Sequence, residues 1–292
     1  MKISNFIKGI ISASLGSFWW GVLGVLYFKH FSFVGHLELV IHRCLWTTLM
    51  LLLTTIYFSK LNLLKSTIKN YHNLFILFIS SILIFTNWSV WIYAISNNQI
   101  IDASFGYFIM PILSVLLGYI FFQEKLNTKR VYSISLVIIS IFILLYNFKS
   151  IPWVGLVVAF SWSTYNLLRK KINVDTDIGL FIESLFIFPF AALIFYFIFQ
   201  NNLNDFTFSN PGLMFWLLLA GPMSVIPLFL HIRGVELVGL GPTGMIFYIT
   251  PTFQFILGFF YYNEPFSSQK FTSFILIWIA VFIYLKDLYE NN

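Results

Sequence analysis

Little in this chain is charged. Asp, Glu, Lys and Arg make up 10% of its 292 residues, against about 25% in an ordinary soluble protein, which leaves too few polar side chains to clothe a water-exposed surface. Cysteine is nearly missing as well: Cys44 stands alone inside an apolar run, so no intrachain disulfide can form. Long polar stretches are absent. The most extended hydrophilic loops, near 59–72 and 201–211, are too short to hold an active site by themselves, so any chemistry belongs among the helices. No H-E-x-x-H, G-x-S-x-G or P-loop occurs, which leaves no visible catalytic constellation. Gly239, Gly241 and Gly244 spell G-x-G-x-x-G, but no strand precedes them and an apolar helix follows, so they read as a loop rather than a dinucleotide site. His30, His36 and His42 fall six residues apart, about 240° around a helix, and share no face. Neither a metal site nor a cofactor is expected.

Apolar and aromatic residues fill the space that charge leaves. They reach 59% and 21% of the chain, with a mean hydropathy of +0.85. Ten apolar segments follow one another at 6–28, 36–58, 73–95, 102–122, 130–147, 152–169, 178–200, 212–232, 242–262 and 271–287. A helix needs about 20 such residues to cross a bilayer, so the composition predicts an all-α, multi-pass membrane protein. The first segment follows Lys2 and Lys8 as a signal peptide would, yet no small-residue cleavage site follows it, and it reads as a retained helix.

The net charge of +6 does not indicate a nucleic-acid partner, because the basic residues sit in short loops rather than along one helical face. They report orientation. With ten crossings, thirteen of the 17 Lys and Arg fall on the side of the amino terminus and three on the other, which places both termini in the cytoplasm.

The chain also repeats itself. The stretch Asp102 to Leu126 matches Pro242 to Phe266 at an offset of 140 residues, aligning Ile109 with Ile249, Pro111 with Pro251, Leu117 with Leu257, Gly118 with Gly258 and Glu124 with Glu264. Two five-helix units are therefore expected, residues 1–147 and 148–292. Five is odd, so the second unit enters the membrane from the opposite side and the repeats are inverted. Such pairs support two pseudo-symmetric arrangements around a central site.

Candidate site residues are those that lipid would penalise. A charge at the centre of a membrane helix costs at least about 2.5 to 3.5 kcal/mol, which singles out Glu38, Arg43 and Glu183. Arg43 and Glu183 correspond at the repeat offset; their depths differ by about 10 Å at 1.5 Å per residue, so contact between them needs tilt or a long reach. His42 can relay protons or simply bond to a neighbouring helix. Pro111 and Pro251 each remove a backbone hydrogen bond and should face the bundle interior, as packing kinks or as part of the path. Trp19, Trp20, Trp88, Trp91, Tyr93, Tyr107, Trp162, Tyr165 and Tyr248 could offer stacking surfaces or serve as packing and interfacial anchors. The amides of Asn87 and Asn166 can bond either a donor or an acceptor on a substrate. Gly118 and Gly258 should let the fourth and ninth helices approach closely.

Several short motifs occur together: IHR at 41–43, NW at 87–88, ASFGYFIMP at 103–111, LRKKI at 168–172, IES at 182–184, YITP in the second repeat and NEP ending at 265. Across nearly the whole chain this combination resembles the RarD branch of the EamA family in the drug/metabolite transporter superfamily. The resemblance implies ten helices as two inverted repeats, a central cavity, and alternating access for a small organic metabolite across the bacterial inner membrane. It assigns no substrate. Met110 departs from it, standing where the family commonly has asparagine before the proline. The expected function is thus a secondary transporter for an amino acid, a drug-like molecule or a related solute. Its partners would be that substrate, membrane lipids and a coupling proton or ion. The alternative is a membrane-embedded enzyme or lipid scramblase without a recognisable motif.

Overall fold

The computed structural model describes residues 4–97, 100–146, 153–262 and 268–291, with the backbone alone at residues 95, 96 and 100–105. The loop at 147–151 and the NEP ending with Glu264 lie outside the described residues. Every regular element among those described is helical. In chain order they are α1 (Asn5–Trp19), a π-helical turn (Trp20–Gly24), α2 (Val25–His30), α3 (His36–Tyr57), α4 (Leu61–Ile68), α5 (Tyr71–Ser96), α6 (Ile100–Phe122) and α7 (Thr128–Leu145). There follow α8 (Trp153–Lys171), α9 (Thr176–Gln200), α10 (Pro211–Leu218), α11 (Ala220–Val238), α12 (Leu240–Ile246), α13 (Ile249–Phe260) and α14 (Ser268–Glu290).

Eight stretches are long and apolar enough to cross a membrane, counting α1 to α2, α10 to α11 and α12 to α13 as one stretch each. The other two segments expected to cross are α6, which runs over 23 residues with its side chains described from Gly106 onward, and α8. In α8 the last turn carries Arg169, Lys170 and Lys171, and Ser161, Ser163 and Asn166 are buried along its length. A helix surrounded by other helices does not need an apolar surface all round. The hydrophilic stretch near 59–72 is not a plain loop but contains a short helix, α4.

The surface is apolar and the interior holds polar groups. Leu53, Phe142, Phe190 and Phe282 are more than half exposed, whereas Ser80, Ser133, Ser140 and Glu183 are buried. That inversion suits lipid as the solvent, and small residues and hydroxyls then hold the helices together. Gly9, Ala13 and Gly16 form the face of α1 that meets α11, where Ala13 touches Gly234 and Gly16 lies over the Pro227 carbonyl. Between α7 and α14, the Ser133 hydroxyl donates to the Ala280 carbonyl at 2.6 Å and the Ser140 hydroxyl to the Ser273 carbonyl at 3.0 Å. Side chains at helix starts supply caps. Asn127 accepts from the Arg130 N–H, and Asn210 accepts from the Leu213 N–H with Pro211 in the first turn.

Packing pairs elements that are equivalent in the sequence. The starts of α3 and α9, α5 and α10, α6 and α12, and α7 and α14 are each 140 residues apart. Three of these pairs, α3 with α9, α6 with α12 and α7 with α14, pack directly against each other. Likewise α1 packs on α11 while α5 packs on α8. Both chain termini lie at one end, since Gly9 sits against Leu237 and Val238, and Lys129 pairs with Glu290 at 2.8 Å.

Candidate translocation site

The breaks in the helices converge on a cavity. The π-helical turn at Trp20–Gly24 interrupts the stretch from α1 to α2, and the stretch from α12 to α13 is broken at Phe247–Tyr248. Pro251 lies four residues beyond Phe247, and Pro111 four beyond Tyr107; both prolines are buried. A proline donates no bond to the carbonyl four residues back, so each half loses a helical bond beside an aromatic residue. Tyr107 and Phe247 both line the cavity, whose volume is about 490 Å³ including space open to the outside. Arg43, Asn87, Trp88 and Trp162, also singled out in the sequence, line it with Trp20, Gly24, Phe28, Trp91 and Met110.

Arg43 supplies the charge. It is 3% exposed, and its Nε donates to the Ser224 hydroxyl at 2.9 Å. Its guanidinium lies 4.4 Å from the Trp88 ring centroid and 4.6 Å from that of Phe28. Hence it is held flat between two aromatic faces and an oxygen, in contacts each worth about 0.5 to 2 kcal/mol. Among the described residues no carboxylate pairs with it. The Asn87 amide donates to the Val158 carbonyl at 2.9 Å and the Ser161 hydroxyl at 3.1 Å, fixing α5 to α8 at the cavity wall. Trp162 stands edge-on to Trp20 at 5.1 Å, and His231 backs both at ring distances of 5.0 and 5.8 Å.

Glu183 does not reach Arg43. Its Oε1 is 3.6 Å from Arg169 Nε, and its Oε2 accepts from the Tyr165 hydroxyl at 3.1 Å. Arg169 reads in the sequence as a loop charge reporting orientation; α8 instead carries it inward, 3% exposed, across Gly179, where a Cβ would overlap its guanidinium. Glu183 lines a second cavity of about 330 Å³ with Cys44, Thr47 and Ser184, and Trp88 belongs to the walls of both. Glu183 Oε1 and Arg169 Nε and Nη1 accept or donate no hydrogen bond, an unusual arrangement for a buried pair.

The remaining candidates have other surroundings. His42 lies outside both cavities. Its Nδ1 accepts from Trp46 Nε1 at 2.9 Å, so Nε2 carries the proton and faces Glu38 at 3.3 Å. Glu38 in turn accepts from the Asp205 and Phe206 N–H groups, anchoring the loop after α9. Burial and the Glu38 carboxylate raise the Asp205 carboxyl above its ordinary range. Asn166 is buried with Oδ1 unbonded and lines neither cavity. Tyr248 donates to the Phe108 carbonyl at 2.8 Å, bracing the helix break against α6. A Cβ at Gly118 would meet the Glu124 carboxylate at 2.5 Å, and Gly258 is buried on α13. The close approach of α6 to α12 occurs at Gly244, against Ser114 and the Pro111 carbonyl.

Glu124 forms a clasp at the end of the bundle that holds the termini. It accepts from the Leu240 N–H at 2.7 Å, the Gly241 N–H at 2.8 Å and Lys170 Nζ at 2.6 Å. Gly118, Gly239 and Gly241 make room for it, and Gly239 adopts φ +102°, a conformation that side chains disfavour. The G-x-G-x-x-G is thus a receptor for a carboxylate of the other half of the chain and for the α6 backbone. Further ties join the halves at the same end. Arg130 pairs with Asp287 at 2.8 Å, and Lys60 with Asp175 and Asp177 at 3.2 and 2.8 Å. Against partial burial, which lowers it, the hydrogen bonds that Lys60 donates to those aspartates raise its ammonium above the ordinary range. Along α6, Met110, Ser114 and Gly118 lead turn by turn from the cavity to the clasp.

Comparisons with known proteins agree with this architecture. The model of the EamA-like transporter family matches residues 7–146 and again 149–286. The uncharacterized transporter YojE of Bacillus subtilis strain 168 is 33% identical over 288 residues, covering 97% of this chain and 95% of its own. Protein RarD of Escherichia coli K12 is 30% identical over 280 residues, covering 96% and 94%. One crystal structure superposes with a TM-score of 0.70 at 13% identity, covering 94% of this chain and 96% of the other, a likeness of fold alone.

Proposed function

The chain belongs to the EamA-like transporter family, and we propose that it is a secondary transporter carrying a small organic metabolite across the bacterial inner membrane by alternating access. Two inverted five-helix repeats, residues 1–147 and 148–292, would exchange roles around the central cavity. The observation that carries this reading is the placement of that cavity: aromatic walls and one buried cation lie between paired halves, with a polar clasp closing the route along α6. The support for inversion is the common 140-residue offset of the helix starts together with the odd number of crossings per repeat. The basic loops support a cytoplasmic position for the clasp end and both termini.

Met110→Cys in a Cys44→Ser background tests alternating access. A membrane-impermeant thiol reagent should reach Met110→Cys from outside in right-side-out vesicles and from the cytoplasmic side in inside-out vesicles. Reaction from one side only, at every substrate and ion condition, would refute alternation.

A further inference from the structure

We infer that the central cavity is a site for an organic monocarboxylate with a flat or apolar body, whose carboxylate is held by Arg43. The inference rests on the transport reading and names the chemistry of its cargo. Of the residues lining the cavity, Arg43 alone is charged. A guanidinium offers five N–H donors, and the partner described for Arg43 takes one of them. Ser224 and the rings of Phe28 and Trp88 fix its plane, so the donors are oriented before a ligand arrives. A planar guanidinium of fixed orientation matches a carboxylate through two parallel bonds. Charge balance narrows the class further. A cation would add to the charge of Arg43 with no carboxylate on the wall to offset it. A dianion such as a phosphate monoester would leave one charge unmatched. A zwitterionic amino acid would bring an ammonium to walls that hold no carboxylate. A monoanion neutralises the site.

The walls define the rest of the ligand. Trp20, Trp91, Tyr107, Trp162 and Phe247 present rings to the space beyond Arg43, and the Trp162 ring lies 5.8 Å from that of Phe247. Such a box stacks on a planar body and excludes water. Met110 adds a thioether to the wall, and thioethers adapt to apolar shapes. The body of the ligand is therefore recognised by shape and its head by charge.

The test uses the full-length protein in lipid nanodiscs, with tryptophan fluorescence and thermal stability as readouts. 3-Phenylpropionate is the probe, compared with 3-phenylpropionamide, phenylalanine, phenethylamine and phenyl phosphate. The acid should quench fluorescence and raise the melting temperature at concentrations at least about tenfold below those needed for the amide, the amine or the zwitterion, a gap of about one charge-assisted bond. Arg43→Gln should abolish this preference while still binding the amide, and Arg43→Lys should restore part of it. Equal responses to acid and amide in the wild-type protein would overturn the inference without recourse to any variant. So would no response to the acid at millimolar concentration, a preference for the phosphate, or an unchanged acid preference in Arg43→Gln. Preferential binding of the acid by a protein whose Met110→Cys reacts from one side only would uphold the site and refute transport.

Discussion

Glu124→Gln should release the clasp end of the bundle. The substitution keeps the size of the side chain and one carbonyl acceptor for the Leu240 or Gly241 N–H. It removes the charge that strengthens all three bonds and the ion pair to Lys170 at 2.6 Å. Hydrogen bonds to a charged group contribute about 1.5 to 3 kcal/mol each, and stranding one member of a fully buried pair costs about 3 to 5 kcal/mol. Here the two side chains are 19% and 17% exposed, so solvent reduces the loss, and a net cost of about 2 to 3 kcal/mol to the closed arrangement is reasonable. At 1.4 kcal/mol per tenfold, the ratio of open to closed molecules should rise roughly 30- to 140-fold.

Ser114→Cys, again in a Cys44→Ser background, reports this shift because Ser114 lies between cavity residue Met110 and Gly118 beneath the clasp. Its labelling rate in inside-out vesicles should rise by that factor in Glu124→Gln, and by a smaller factor in Lys170→Gln, which leaves both backbone bonds in place. An unchanged rate in folded Glu124→Gln protein would show that the clasp does not hold the closed state.

Gly239→Ala should reproduce the Glu124→Gln phenotype in the same labelling assay, because its φ of +102° is strained for alanine and the new Cβ would meet the Glu124 carboxylate. Glu183→Gln should lower unfolding stability by about 3 kcal/mol by stranding Arg169, and Arg169→Gln added to it should recover much of that loss; wild-type stability in both single variants would contradict a structural pair. If Glu183 also carries a coupling proton, transport by Glu183→Gln should lose its pH dependence. Arg43→Gln and Glu183→Gln together should change stability additively within about 0.5 kcal/mol, since neither touches the other. Cysteines replacing the exposed Lys65 on α4 and Lys171 at the end of α8 should escape an impermeant reagent in intact cells, and strong labelling there would reverse the proposed topology.

Much of the site was legible because lipid makes polar residues conspicuous. Arg43, Asn87, Trp88, Tyr107 and Trp162 stood out by type and by position within apolar segments, and all five line the cavity. The partners of the charges were not legible. Arg169 reads as a loop residue beside Lys170 and Lys171, and only the length of α8 turns it inward to Glu183. His42 adjoins Arg43 in sequence but lies 100° away around the helix, which directs it to Glu38 and Trp46. The clasp was hidden for a different reason. Glu124 and Gly239 are separated by 115 positions, and a glycine required by a distant carboxylate looks in sequence like any loop glycine.

The matched positions of Arg43 and Glu183 carry one further consequence. With the halves inverted, as proposed, equivalent residues would sit at opposite depths, and a charge in one half and its counterpart in the other would meet only near the midplane. The structure gives each its own cavity and its own partners, with Trp88 between them. Arg43 faces aromatic walls and a hydroxyl, whereas Glu183 faces Arg169 and a phenol. The two stretches matched by the one family model are thus chemically unequal at this register. A transporter built from identical halves would present the same chemistry in both orientations. Arg43 and Glu183 line two cavities that share Trp88, a separation that would let binding and a proton-linked step occupy different places along the proposed path.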